Sequence, residues 1–235
     1  MLNDALTERK TEKQTAATVV YHALKRDIIL GLLGPGDKLQ IDQIAARYGA
    51  GTNPVREALN RLSAERLVER EDLRGFFVPP ISITFFRELV KTRCWLEGKA
   101  LAESIARRTD DWEDAIVLAN HRLQRTPPQL SETVGETTVM TVNPEWEDRH
   151  RALHRALIAN CGSSILLAFC DDMMVQNERY RHIAMTHSYP RRRNNEEHQK
   201  IVDATLGGNS DEAVECLTEH YQRTLQIFEQ NFSAD

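Results

Sequence analysis

The chain has 235 residues, of which 41% are hydrophobic, and a formal net charge of −5, which suits one small and one medium globular domain. It contains neither a signal-peptide pattern nor an apolar run near the roughly 18 residues that span a bilayer, so we expect a soluble, cytoplasmic protein. Its four cysteines (Cys94, Cys161, Cys170 and Cys216) show no CxxC spacing, which argues against a zinc knuckle or a disulfide framework and predicts free, buried thiols.

Charge is divided unevenly along the chain. Residues 1–80 hold 12 Lys and Arg against 11 Asp and Glu, a net charge of +1, and residues 81–235 hold 18 against 24, a net charge of −6. A net charge of +1 does not make a basic domain. An argument for nucleic-acid binding must therefore rest on where individual residues are placed.

The first 80 residues have the pattern of a helix-turn-helix followed by a β-hairpin. Apolar positions recur at helical spacing from Ala17, and two short helices follow, joined by a glycine-containing turn. Two short segments on either side of a polar stretch predict the hairpin, or wing, and Pro79-Pro80 ends the domain as a stiff hinge. The predicted ranges are a flexible N terminus over 1–14, helices from 17 to before Gly31, over 41–48 and over 53–65, strands over 67–70 and 76–78, and a winged helix-turn-helix domain over 15–80.

The helix over 53–65 has one apolar and one polar face. Its apolar stripe is expected to be buried, and the opposite face carries polar side chains that match base edges in the major groove of DNA. The alternative is a solvated polar face on an ordinary helical hairpin, and the turn and wing that follow favour DNA binding. The buried stripe is Val55, Ala58, Leu59 and Leu62, and the polar face is Asn53, Arg56, Glu57 and Asn60.

Several motifs in this region resemble the GntR family of bacterial regulators. They are the stretch from Gly31 to Leu39, the core Pro54-Val55-Arg56-Glu57-Ala58-Leu59, the Leu62 to Leu67-Val68 spacing and the wing Arg74-Gly75-Phe76-Phe77-Val78. The resemblance implies that Arg56 and the residues just before Pro54 contact the operator, that Arg61 reaches backbone or bases, and that Gly75 lets the wing enter the minor groove. The predicted DNA-binding residues are Thr52, Asn53, Arg56, Asn60, Arg61 and Gly75.

The chain departs from the family pattern just before Pro54. Gly51-Thr52-Asn53 stands where the family usually has Ser-Arg-Thr. The missing arginine removes a frequent reader of guanine, so the usual operator half-site of the family does not carry over to this chain.

Helical patterns dominate from residue 84 onward. They predict an all-helical domain over 81–235, and the fold class is therefore mainly α, a winged helix-turn-helix followed by a helical bundle. The Thr-, Ser- and Val-rich stretch 127–144 is left open as a loop or a short helix. The predicted helices cover 85–107, 110–124, 144–160, 163–185, 195–206 and 211–231.

Four histidines of this second domain lie on apolar helix faces. His150 and His154 are one turn apart and could hold one ion. His198 lies ten residues before Gly208 and His220 ten residues after Ser210, so an antiparallel hairpin places both about 15 Å from the turn. The alternative is that each is an ordinary half-buried core histidine. Because the four levels are compatible, we predict a metal site.

The same pattern resembles the FCD helical ligand domain found in the FadR branch of the GntR family. The matching pieces are His150-x3-His154-Arg-Ala-Leu, Glu197-His198-x2-Ile201, and His220. The resemblance implies three histidines and an acidic residue around zinc, nickel or manganese, with an effector carboxylate often completing the shell. His150 stands in the acidic position, which favours zinc or nickel over manganese or indicates a degenerate site.

Three further polar side chains on apolar faces are candidate effector contacts. Arg93 shares a stripe with apolar residues and lies in Arg93-x3-Glu97, which resembles a family motif. Asn177 and Arg181 lie on an apolar face of the helix predicted over 163–185. A buried arginine needs a partner, here either Glu97 or a ligand carboxylate.

The sequence thus predicts a homodimeric, non-enzymatic DNA-binding transcription regulator that binds an operator under the control of a small carboxylate effector. Two alternatives stay open, a metal-dependent hydrolase and a DNA-binding dimer with a purely structural ion. The hydrolase is disfavoured because four protein ligands leave little room for an activated water, and no general base is placed near them. The sequence does not indicate whether the effector releases or strengthens DNA binding.

Overall fold

The structure is a computed structural model that describes residues 14–134, 137–188 and 194–232. The chain divides into two compact units, Met1–Pro80 and Ile81–Asp235. The flexible N terminus predicted over 1–14 lies outside the described residues, apart from residue 14.

In its described part, the first unit has three helices and a two-stranded wing. Helix α1 begins after Thr15, whose side chain accepts a hydrogen bond from the Thr18 backbone N–H and so caps the helix. It packs against α3, and their apolar faces form the core of the unit. The elements are α1 (Ala16–Ile29), α2 (Ile41–Tyr48), α3 (Thr52–Ala64), β1 (Glu69–Glu71) and β2 (Gly75–Phe77).

The wing is a tight antiparallel hairpin. Arg70 of β1 lies opposite Phe76 of β2, and Lys38 adds an isolated bridge to Phe77. Leu73 at the tip and Gly75 both have positive φ angles, of 61° and 105°. The predicted strands therefore form, each shifted by one or two residues, because this sharp turn draws Glu71 and Gly75 into the pairing.

The described residues of the second unit form six helices and a hairpin. Helix α4 packs against α6, α7 and α9, while α5 packs against α6 and α8, and α8 packs against α9. The apolar faces of these helices form one core cluster. The elements are α4 (Ile83–Ala106), α5 (Asp110–Gln124), β3 (Gln129–Val134), β4 (Thr137–Val142), α6 (Pro144–Ile158), α7 (Ser164–Ser188), α8 (Asn194–Leu206) and α9 (Ser210–Asn231).

Local sequence signals determine where α6 and α9 begin. Asn143 caps α6 through its side chain, and Pro144 occupies the first turn, where no backbone N–H is needed. Gly208 adopts a φ of 74° between α8 and α9, and Asn209 caps α9. This short connection makes α8 and α9 neighbours that run in opposite directions.

The stretch that the sequence left open as a loop or a short helix is an antiparallel hairpin. Its pairing runs from Gln129 opposite Val142 to Val134 opposite Thr137. The segment is rich in threonine and valine, whose β-branched side chains favour strands. The description of the second domain as all-helical is therefore corrected by this one hairpin.

The four cysteines are free thiols. Cys161 and Cys170 are buried as predicted, but Cys94 and Cys216 are only partly buried, so the prediction of four buried thiols is wrong for these two. Burial raises the pKa of Cys170 to about 12, which keeps this thiol protonated at neutral pH. Among the described residues, the structure has no helix with the length and apolarity needed to cross a membrane.

Candidate functional site

The exposed face of α3 presents the side chains predicted to read DNA. Thr52, Asn53, Arg56 and Asn60 are exposed, and the apolar stripe beneath them is fully buried. Gly51 caps α3 and offers no side chain to the first turn, so backbone N–H groups there are available to a phosphate.

A cleft lies between α3 and the wing. Arg56, Asn60 and Gly75 line it, together with Lys38 and Arg70, which the sequence analysis did not select. Within the described residues, neither Arg56 nor Arg70 takes part in an ion pair, so both positive charges are available to a polyanion. A signal for Arg70 was present in the sequence, because it follows the apolar Val68 by two residues in the predicted strand over 67–70. In the structure Val68 is buried and Arg70 is exposed.

Arg61 is positioned differently from the other predicted DNA contacts. Its guanidinium lies 4.1 Å from the centre of the Tyr21 ring on α1, and the Tyr21 hydroxyl donates to Glu65 at 2.6 Å. This stacking holds Arg61 at the junction of α1 and α3, although its side chain remains exposed.

A buried carboxylate joins α1 to the end of α2. Asp27 accepts hydrogen bonds from the Tyr48 hydroxyl at 2.7 Å and from Arg47 at 2.9 Å, with Arg26 at 3.2 Å. Burial and the bond to Asp27 raise the pKa of Tyr48 above its ordinary value, so the hydroxyl keeps its proton. Sequence reasoning missed this cluster, whose only signal was an acidic residue between the apolar positions Leu24 and Ile28.

The second unit brings the four predicted histidines together. His150 and His154 come from α6, His198 from α8 and His220 from α9, and all are buried. One ring nitrogen from each lies within 4.8 Å of the others. Four nitrogens in a tetrahedral zinc site are about 3.4 Å apart. The cluster therefore has nearly the dimensions of a metal site.

The protonation of His150 suits metal binding. Burial and the three neighbouring histidine rings lower the pKa of His150 well below its ordinary value, so this ring is neutral at pH 7. Its Nε2 lies 3.1 Å from Nε2 of His154, so two of the nitrogens face the same point. A stacked Trp146 ring, 4.9 Å between centroids, covers His150 on its other face.

Two of the histidines are bonded on their outer nitrogens. Nδ1 of His154 is 3.0 Å from the Tyr221 hydroxyl, and Nδ1 of His220 is 2.8 Å from the Glu197 carboxylate. Such outer bonds orient metal-binding imidazoles and raise their basicity. Glu197 was quoted in the sequence only as part of a motif, and Tyr221 was not selected.

The three candidate effector contacts are all buried. Arg93 pairs with Glu97, with Nε at 2.6 Å from Oε1 and Nη2 at 3.3 Å from Oε2, and its guanidinium lies 4.0 Å from the centre of the Tyr221 ring. Of the two partners left open for Arg93, the structure thus supplies Glu97. Arg181 pairs with Glu147 and lies over the Trp146 ring, and Asn177 lies one turn before it on α7.

Family models match both units of this arrangement. Residues 16–78 match the family described as bacterial regulatory proteins, gntR family, and residues 88–223 match the FCD domain. The chain belongs to the GntR family. The first match contains α1 to the wing, and the second contains all four clustered histidines.

Relatives of this GntR-family chain are transcription regulators. It is 34% identical to the HTH-type transcriptional regulator BphR of Paraburkholderia xenovorans over 89% of this chain and 84% of that protein. It is 30% identical to the HTH-type transcriptional repressor GlaR of Escherichia coli over 89% of this chain and 94% of that protein. The chain is thus a DNA-binding transcription regulator with an FCD domain, and its relatives are not enzymes.

Solved structures share the fold. Escherichia coli McbR/YncC superposes with a TM-score of 0.73 at 21% identity, covering 93% of this chain and 99% of that one. A GntR regulator from Rhodococcus sp. RHA1 gives 0.66 at 22% identity, covering 91% and 98%. At sequence identities of 21% and 22%, the likeness establishes only the fold of this GntR-family chain.

Proposed function

We propose that this GntR regulator is a repressor whose operator affinity is set by a small carboxylate effector bound beside a divalent metal in the FCD domain. One observation carries the proposal: four buried imidazoles converge in one unit, and the other unit exposes Arg56 and Arg70 beside α3, neither of which forms an ion pair among the described residues. The repressor assignment is supported by two Escherichia coli relatives described as HTH-type transcriptional repressors, GlaR and RspR, the second of them 22% identical over 90% of this chain.

For DNA, we assign α3 to the major groove and the wing to the minor groove. Arg56 and Asn60 can form paired hydrogen bonds with base edges, with Thr52 and Asn53 at the start of the helix. Lys38 and Arg70 contact phosphates on the strand that passes through the cleft, and Gly75 allows the wing to approach. Arg61, stacked on Tyr21, is assigned to the backbone at the edge of the interface.

Two substitutions separate base reading from phosphate contact. Arg56→Ala should weaken specific binding by about 1–3 kcal/mol and relax specificity, whereas Arg70→Ala should weaken binding to all sequences and lower the salt dependence by about one phosphate contact. Fluorescence anisotropy on the promoter beside the coding region, over a salt series, measures both. Arg66→Ala, an exposed arginine outside the cleft, is the control. Unchanged affinity of both variants would place the interface elsewhere.

For the metal, the four histidines are the ligands we assign, and zinc or nickel is the ion. A shell of nitrogens suits these ions better than manganese, which prefers oxygen. The bound ion would supply a fixed positive charge inside the FCD domain. Because four neutral imidazoles do not balance that charge, an anion is favoured beside it.

The effector follows from this charge. A small carboxylate would balance the ion by adding an oxygen ligand, and we assign its recognition to Asn177 and Arg181, two buried polar groups on α7. Arg181 would bind the carboxylate while keeping its pair with Glu147. Glu97 already neutralises the charge of Arg93, so Arg93 is not assigned as a direct contact of the effector carboxylate. A purely structural ion is the second candidate, favoured because a four-ligand set is typical of closed structural sites.

Metal analysis and ligand response test these assignments. Protein purified without a metal-affinity tag should contain about one ion per chain by elemental analysis, and His154→Ala/His198→Ala should lose it. A screen of small carboxylates by thermal shift should then find a ligand that stabilises the metal-loaded protein and changes its operator affinity. A bound ion without such a ligand would favour the structural role, and a folded, metal-free protein would contradict both.

The working form is proposed to be a homodimer, since one winged helix reads only one half-site of a pseudo-palindromic operator. The helices α4 and α7 pack against each other and carry large exposed apolar side chains, Trp95, Ile165 and Phe169. We assign these side chains to the contact with a second copy of the chain. Sedimentation should give twice 26.9 kDa. Trp95→Glu/Phe169→Glu should give monomers, whereas Val117→Glu on α5 should not.

A further inference from the structure

A chain of buried hydrogen bonds connects the histidine cluster to Arg93. His154 Nδ1 contacts the Tyr221 hydroxyl at 3.0 Å, and this hydroxyl contacts Glu97 Oε2 at 2.5 Å. Glu97 in turn accepts hydrogen bonds from Nε and Nη2 of Arg93. Tyr221 lies on α9, Arg93 and Glu97 on α4, and His154 on α6, so three helices meet in this chain of bonds.

The direction of every bond in this chain is determined by its chemistry. Arginine has donors only, and an ionised carboxylate has acceptors only. A tyrosine hydroxyl has a single proton, and the short contact to the Glu97 carboxylate takes it. Towards His154 the hydroxyl can therefore only accept, so Nδ1 of His154 must carry the proton.

A histidine that binds a metal is neutral and carries one proton, so in that state His154 has no proton on Nε2. That nitrogen is the one that faces Nε2 of His150 at 3.1 Å, inside the cluster. His220 repeats the arrangement, because its Nδ1 lies 2.8 Å from a Glu197 oxygen that can only accept. Both rings are thus presented with a lone pair towards the same point.

We propose that Tyr221 is a positioning residue: held by the Glu97–Arg93 pair, it fixes His154 as the Nδ1–H tautomer and so presents Nε2 to the metal. This rests on the metal site of the proposed function. It also gives Arg93 a role, since the arginine holds the Glu97 carboxylate in place beside Tyr221 rather than binding the effector itself.

Removing the hydroxyl tests the link from Tyr221 to the metal. Tyr221→Phe should raise the Kd for zinc and for nickel roughly 10- to 100-fold, the usual effect of losing such an outer bond. Competition with a chromophoric chelator measures the Kd. Tyr180→Phe is the matched control, because that buried hydroxyl bonds to the Ser82 backbone N–H and not to a histidine. Its Kd should stay at the wild-type value.

Glu97→Gln tests the direction of the chain rather than its presence. Arg93 should hold the single amide oxygen, which turns the amide N–H groups towards the Tyr221 hydroxyl. The hydroxyl then accepts from Gln and donates to His154, which moves the histidine proton to Nε2, the nitrogen that should bind metal. This isosteric change should therefore weaken metal binding at least as much as Tyr221→Phe, whereas Glu103→Gln, at a half-buried position on α4 outside this chain of bonds, should not.

Nitrogen NMR of the metal-free protein provides a readout that needs no bound ion. The His154 side chain should show a protonated, pyrrole-type Nδ1 and a pyridine-type Nε2 in the wild type, and these should exchange in Glu97→Gln. A wild-type His154 protonated at Nε2, or both variants with unchanged Kd, would overturn the inference. Wild-type protein that binds neither ion would instead overturn the metal site of the proposed function, while the NMR result still decides whether Tyr221 sets the tautomer.

Discussion

Asp27, Arg93 and Glu97 are charged side chains that lie almost entirely out of solvent. Removing a charge from water is costly, and the cost is offset only where opposite charges and hydrogen bonds meet it. Arg93 and Glu97 meet this condition with each other and with Tyr221. Asp27 meets it with two arginines and a tyrosine. Each buried charge therefore fixes the packing of two or more helices.

Asp27→Asn should lower the stability of the first unit. The amide keeps the shape of the carboxylate but loses its charge, and it turns N–H groups towards donors of Arg47 and Tyr48. Because both arginine partners are exposed, the expected loss is about 2 kcal/mol in the free energy of unfolding rather than that of a fully buried pair.

Calorimetry of the full chain measures the change in the unfolding transition of the first unit. Asp42→Asn, at an exposed position in the first turn of α2, is the control and should change the free energy by less than about 0.5 kcal/mol. Equal stability of the two variants would show that the bonds to Asp27 add nothing beyond packing.

For single residues, the sequence predicts which side chains form a site better than it predicts their hydrogen-bond and ion-pair partners. The histidines could be placed at one level because helical rise converts spacing into distance. Whether Arg93 pairs with Glu97 or with a ligand could not be decided, because spacing along one helix allows both. Tyr221 is 67 residues from His154, and their contact depends on how α9 packs against α6 and α4. No local pattern contains that information.

Elements with a clear period were predicted closely, and the element without one was not. The helices α2 and α5 have the predicted bounds, and the other helices differ by up to three residues at their ends. In contrast, the alternation in the hairpin from β3 to β4 is blurred by consecutive Thr and Val residues. Its pairing is decided between the two strands, which a reading of each stretch alone cannot detect.

Gly75→Ala should weaken operator binding through the wing alone. The φ of Gly75 is +105°, which L side chains rarely adopt, and the nearest atom to an added Cβ is Lys38 Cε at 3.9 Å. The effect is therefore backbone strain rather than a clash, and it should cost on the order of 1 kcal/mol in operator affinity, about fivefold in Kd.

The same anisotropy titration measures the effect, with Gly34→Ala as the control, since that glycine has no positive φ and its added Cβ would meet Asp37 at ordinary contact distance. A Gly75→Ala variant with wild-type affinity and wild-type stability would exclude the wing tip from the interface.

The whole chain combines two units that are stabilised in different ways. The first has a small apolar core joined by the Asp27 cluster, and the second has a larger core and four buried histidines. A ligand that binds only the folded form of one unit stabilises that unit by mass action. Control of DNA binding then requires that this stabilisation also change the arrangement of the units across Pro79-Pro80, as the proposed function implies.

The last prediction uses this difference: metal should raise the unfolding temperature of the second unit and leave that of the first unchanged. At a free metal concentration 100 times the Kd, mass action adds about 2.7 kcal/mol of stability. A domain of about 150 residues gains about 2–4 °C per kcal/mol, so the expected rise is about 5–11 °C. Differential scanning calorimetry of the full chain with zinc or nickel measures both transitions, and His154→Ala/His198→Ala should abolish the rise. Equal shifts of both transitions would mean that the two units unfold as one cooperative body, because the metal ligands lie in the second unit alone.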